Sequence, residues 1–320
     1  MTALTKTGKL PVLIHGVGRS GTSWVSKIFD HHPMVFSSHE PERFVARPDP
    51  SDAGAIRGYA ETLFATRPLR AMRKRPILAK PYRSRLAHET RRGLLYMLTG
   101  MERFTGGNSP WLRGLQVPDF ADLSGVTLAV KSVSHQMLLP ALARHVPELK
   151  IVFLIRHPCG NIRSNMTGQR IGKMAELHLP PRAEMARLFS FDRPAEDLTE
   201  ADFDQIEILA YRWAVFNDIA WRGLNGLQNA RVLRYEDLCA DPVGQARELL
   251  EWTGLDWHDD CARFLQASLD ATETPSGYHA LQRNPAVAAH KWREEMDPAE
   301  VKRVIAICRR SSAFALFEEA

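Results

Sequence analysis

The chain has 320 residues, 44% of them hydrophobic, and a formal net charge of +5. Such length and apolar content exclude a disordered or fibrous chain and allow one large α/β domain, or two small ones, with a sizeable core. The positive balance favours anionic partners, but no nucleic-acid-binding motif accompanies it, and the longest apolar runs are too short to span a bilayer.

The first predicted element is a β-strand over residues 11–15. It breaks into the turn Gly16-Val-Gly18-Arg19-Ser20-Gly21-Thr22-Ser23, and a helix follows to about residue 31. Glycines here let successive N–H groups converge on an anion, and the helix N-terminus adds its positive dipole end. The spacing Gly16-x4-Gly21-Thr22-Ser23 nearly matches a nucleotide triphosphatase loop, but Thr22 stands where that motif requires lysine, and the basic residue is displaced to Arg19. Trp24, Val25, Ile28 and Phe29 form an apolar helical stripe, which reads as core.

Between residues 41 and 120 no strand is convincing. Amphipathic patterns at 53–65 and 88–101 predict a helical insertion over approximately 43–120. Residues 43–113 hold fifteen Arg and Lys against five Asp and Glu, including Arg70-Ala-Met-Arg73-Lys74-Arg75. Further strands are predicted at 127–131, 150–155 and 231–235, with helices at 206–224, 243–253 and 298–309 and a loop over 272–288. Strands alternating with helices predict a parallel sheet covered on both faces, and ligands of such sheets bind beyond the carboxyl ends of the strands. Lys131, Arg156 and Tyr235 end three of those strands. Arg156 and Ser164, on the helix that Pro158 opens, are placed to share one phosphate.

Taken in order, these segments resemble the P-loop sulfotransferases that use 3′-phosphoadenosine 5′-phosphosulfate (PAPS), and are most similar to the tyrosylprotein and carbohydrate branch. The resemblance implies a P-loop NTPase-like parallel sheet flanked by helices, in a single domain over residues 1–320 whose insertion caps the acceptor site. It assigns Gly18, Arg19, Ser20, Gly21, Thr22, Ser23 and Trp24 to the 5′-phosphosulfate loop and Arg156 and Ser164 to the 3′-phosphate. It places Tyr235 near the adenine and Lys291, Trp292 and Arg293 in a late segment closing over the nucleotide.

Glu40, after Phe29-Asp-His-His-Pro-Met-Val35, matches the catalytic glutamate of the tyrosylprotein enzymes. The cytosolic phenol and steroid branch instead carries a histidine two residues past the strand-end lysine, where this chain has Val133. His135 is the alternative base. Lys131 and Arg19 would stabilise the transferring group, and Ser276 resembles a serine that donates to the leaving phosphate. Burial is expected to raise the Glu40 pKa, with neighbouring arginines opposing. Glu42 and Arg43 read equally as acceptor contacts or surface residues, and His15, His31, His32 and His39 as packed or exposed histidines. A sulfuryl group carries less charge than a γ-phosphoryl, so no metal is expected.

Two other readings compete: an ATP-dependent small-molecule kinase, against which the missing loop lysine counts, and a non-catalytic nucleotide-binding P-loop protein. The acceptor is a hydroxyl compound left open among acidic peptide, anionic glycan, lipid headgroup and neutral metabolite; peripheral membrane contact is open too. Four separated cysteines with no zinc spacing, and no signal-peptide pattern, point to a cytoplasmic protein.

Overall fold

The computed structural model describes residues 4, 6–106, 109–119, 121–270 and 285–318. Its frame is a five-stranded, wholly parallel sheet in the order β2-β3-β1-β4-β5. In chain order the strands are β1 (Val12–Gly16), β2 (Val35–His39), β3 (Thr127–Ser132), β4 (Lys150–Ile155) and β5 (Ala230–Arg234). Helix α1 (Thr22–His31) joins β1 to β2. The helices α2 (Ala53–Ala65), α3 (Leu69–Met72), α4 (Arg85–Phe104) and α5 (Pro110–Gly114) lie between β2 and β3.

Helix α6 (Leu139–His145) precedes β4, while α7 (Pro158–Arg170), α8 (Arg182–Leu188) and α9 (Gln205–Leu224) separate β4 from β5. After β5 come α10 (Tyr235–Ala240), α11 (Pro242–Trp252), α12 (Asp259–Leu269), α13 (Pro285–His290), α14 (Trp292–Glu295) and α15 (Pro298–Cys308).

The central strands are buried on both faces, which is why they read as unbroken apolar runs. Their side chains alternate. Leu13, Val130, Ile151 and Phe153 join one core with α2, α6 and α9, while Val12, Ile14, Val152 and Leu154 join the other with α1, α11 and α12. Because every strand runs the same way, the residues after Gly16, His39, Ser132, Ile155 and Arg234 all gather at one edge.

Two expectations change. Strand β2 was not among the predicted strands: Val35-Phe-Ser-Ser-His39 lacks a strong β pattern, and its identity comes from pairing with β3 at Phe36↔Leu128 and His39↔Lys131. The predicted loop over 272–288 ends earlier, since Pro285 opens α13; residues 271–284 lie outside the described residues.

Candidate active site

Helix α1 begins at Thr22 with Gly21 as its N-cap, no side chain capping it and no acidic residue in its first turn. Its first N–H groups therefore carry uncompensated positive character toward the carboxyl edge of the sheet. Gly21 has φ 93, and a Cβ there would lie 2.4 Å from Cδ2 of Tyr235. Only glycine lets the loop rest on that ring. Tyr235 is 7% exposed, and the Trp24 ring meets it edge-on at 6.4 Å between centroids. Trp24 is thus packed beneath the loop, in one core with Val25, Ile28 and Phe29.

Helix α7 braces the loop from the other side. Asn161 Nδ2 donates to the Gly18 carbonyl (2.9 Å) and to Ser20 Oγ (3.2 Å), and Asn165 Nδ2 donates to Asn161 Oδ1 (3.1 Å). Ser20 is fully buried by this contact. Sequence reasoning missed both asparagines; their i, i+4 spacing on the helix that follows Arg156 was the available signal.

Arg19 Nε donates to Ser164 Oγ at 3.0 Å, and Arg156 Nη1 donates to the Arg19 carbonyl at 3.3 Å. Arg156 also spans to the Ala288 carbonyl (2.6 Å) and lies over the Tyr235 ring at 4.8 Å, while its buried Nε has no acceptor among the described residues. Residues expected to hold two ends of one nucleotide, Arg19, Arg156, Ser164 and Tyr235, are thus brought together. Trp292 stacks on His157 at 4.4 Å, and Arg293 lies over Trp292. Burial first, then Arg293, Arg156 and Arg234, push the His157 imidazole down to about 4, so it is neutral in a strongly positive setting. Lys291 pairs with Glu295 at 3.4 Å. Thr22 is buried and Ser23 half-buried at the start of α1; Ser276 lies outside the described residues.

On the adjacent strand ends, Lys131 Nζ donates to Glu40 Oε1 at 2.6 Å and Arg43 Nε to Glu40 Oε2 at 3.2 Å. The Glu40 N–H donates to the Lys131 carbonyl (2.7 Å), which fixes this residue to the end of β3. Burial alone would raise the Glu40 carboxyl, but the Lys131 charge and hydrogen bond, with His39 and Arg43, overcome it and hold the group at about 2. This reverses the expected direction. Lys131, 3% exposed, is pulled down by its own desolvation while Glu40 opposes that pull.

Glu42 is no surface residue. It is 1% exposed, accepts the Val133 N–H at 3.3 Å and is raised by burial. His135 Nδ1 pairs with the Tyr59 hydroxyl at 2.8 Å. His15 is buried against the Ser134 carbonyl (2.7 Å), and burial lowers it to about 4.

Among the described residues, three non-glycine residues have positive φ: Arg19 (73), Glu40 (58) and His135 (61). They follow β1, β2 and β3 in turn. Each costs about 1–3 kcal/mol in backbone strain, which concentrates at sites that position chemistry. Among the described residues no cluster of three His, Cys, Asp or Glu side chains is arranged to hold a metal.

The profile of the sulfotransferase family matches residues 11–259, from β1 to the start of α12. The chain belongs to the sulfotransferase family. This membership displaces the kinase reading. It is 24% identical to carbohydrate sulfotransferase 7 of Rattus norvegicus, over 94% of this chain and 72% of the relative. Among solved structures it is similar to the sulfotransferase domain of the Synechococcus PCC 7002 olefin synthase (17% identity, 94% of each chain, TM-score 0.48). It is also similar to a mouse sulfotransferase complexed with PAP (13% identity, 99% of this chain and 92% of that one, TM-score 0.47).

Proposed function

We propose that this sulfotransferase moves the sulfuryl group of PAPS to a hydroxyl of an acidic acceptor, with Glu40 taking the hydroxyl proton. The observation that carries the reading is the uncapped N-terminus of α1 beside the Lys131–Glu40 pair at one edge of the sheet. The residues fit the donor: the α1 N-terminus offers N–H donors to the 5′-phosphosulfate. The buried Nε of Arg156, unpartnered among the described residues, and the Arg19–Ser164 pair offer charge and hydroxyl to a 3′-phosphate. When bound, PAPS supplies an activated sulfuryl group on a good phosphate leaving group.

The acceptor oxygen forms its bond to sulfur as the bond from sulfur to the bridging phosphate oxygen breaks, and the hydroxyl proton passes to Glu40. Lys131 and Arg19 stabilise the charge that collects on sulfuryl and phosphate oxygens. Once Lys131 turns to that charge, Glu40 loses its strongest counter-ion and becomes a better base.

The acidic character of the acceptor is supported by the cations around Glu40. Arg70 and Lys74 both sense the Glu40 charge, both are lowered chiefly by burial, and neither makes an ion pair among the described residues. A carboxylate or sulfate on the acceptor would neutralise them.

Thermal stabilisation by adenosine 3′,5′-bisphosphate, compared with AMP and with ATP plus magnesium, tests the donor assignment. At a hundredfold excess over Kd the bisphosphate should stabilise by about 2.7 kcal/mol. Arg156→Ala should abolish the selective shift. An equal response to AMP would remove the 3′-phosphate assignment.

A further inference from the structure

Eleven large hydrophobic side chains stand exposed among the described residues, and six of them, Leu86, Tyr96, Met97, Met101, Phe104 and Trp111, belong to α4 and α5. At about 100° per residue, Leu86, Met97 and Phe104 project within about 20° of one another and Met101 about 60° from Leu86. The opposite side of α4 is the buried one, through Leu95, Leu98 and Glu102. Phe104 is 95% exposed and Trp111 71%. Arg113 Nε donates to Glu102 Oε1 at 2.8 Å, which ties α5 to the last turn of α4 and sets these two aromatics at the same end. Exposed Arg85, Arg92 and Arg103 run along one side of the stripe, Arg92 paired with Glu89 at 2.5 Å, and Arg75 stacks on Tyr96 at 4.2 Å. Glu89 is the lone exposed carboxylate on this helix.

We propose that α4 and α5 form an interfacial surface that binds an anionic lipid bilayer. The apolar stripe enters the boundary between headgroups and acyl chains, and the arginines meet the lipid phosphates. Met97, Met101 and Phe104, at i, i+4 and i+7, form a continuous exposed apolar patch with Leu86 on the same face three turns away, and such a patch is costly in water and calls for a partner. The pattern of an aromatic-bearing apolar face with arginine along its border is that of a helix lying in the plane of a membrane interface. Charge selects the bilayer over a second copy of the chain. In a two-fold contact the same arginines would face their own copies with one glutamate to offset them, whereas anionic headgroups complement them. The inference does not depend on the donor assignment.

Cosedimentation of the full chain with phosphatidylcholine vesicles, with and without phosphatidylserine, tests it. The wild type should partition onto the phosphatidylserine vesicles, less so at high salt. The double variant Phe104→Ser, Trp111→Ser should lose about tenfold or more in partitioning. Its thermal denaturation should stay cooperative, since both side chains stand in solvent. No enrichment on phosphatidylserine vesicles, or equal partitioning of wild type and variant, overturns the proposal. So does light scattering that finds a wild-type dimer which the double substitution converts to monomer.

Discussion

As the proposed base, Glu40 stands between two demands, since it must accept a proton and this carboxylate is surrounded by cations. Its folded-state pKa of about 2 lies below the ordinary value of 4.5, so its charge supports the fold above the ordinary carboxylate range. That support is lost as pH falls through about 2. The profile of kcat/KM reports the free enzyme, and should therefore show no acid limb from Glu40 between about pH 5 and 8. Lys131→Met removes the main lowering influence, and a limb should then move up toward the carboxylate range. Glu40→Gln should lose about 10²–10⁴-fold in kcat with bisphosphate binding retained. A wild-type acid limb that survives in Glu40→Gln would shift the base to His135. The sequence singled out this residue only through its resemblance to the catalytic glutamate of the tyrosylprotein enzymes. Its charge state was not, because that depends on β2 lying beside β3, which puts Glu40 against Lys131.

The elements divide in the same way. Strands β1, β3 and β4 announced themselves because burial on both faces demands uninterrupted apolar residues. Strand β2 sits at the sheet edge and carries Ser37 and Ser38, so its short polar run gave no such signal. Helix α7 was expected from Pro158 to contribute Ser164. Its structural task, bracing the loop through Asn161, depends on β4 pairing with β1, which sets the helix after β4 beside the loop after β1 and which no local pattern encodes. Asn161→Ala would leave the Gly18 carbonyl with the longer 3.5 Å contact from Asn165 and remove the donor to Ser20 Oγ. A cost of about 1–3 kcal/mol in stability is expected, together with weaker bisphosphate binding by calorimetry. If stability falls while affinity is unchanged, the brace serves the fold and not the loop.

At the scale of the whole molecule, the insertion shares the apolar core of the sheet through Ile56, Leu63, Leu69 and Leu95, and adds to it a set of ion pairs. Asp119 is shared by Arg83, Arg91 and, at 4.0 Å, Arg67, and all three guanidiniums lie over the Phe36 ring. Glu102 takes both Arg73 and Arg113, and Arg57 reaches Glu148 at 2.6 Å. The excess of basic residues that stood out in the sequence is therefore partly mortar, with buried carboxylates as its keystones. Removing a keystone leaves several buried charges unbalanced, a loss of about 3–5 kcal/mol. Asp119→Asn should accordingly strip hydrogen-exchange protection from the amides of α2 to α4 while β1, β3 and β4 keep theirs; uniform loss would mean that insertion and sheet open as one unit. Selective loss would mean that the insertion opens without melting the sheet. Acceptor exchange would then be gated by a few carboxylates, while the donor loop stays in register on the sheet.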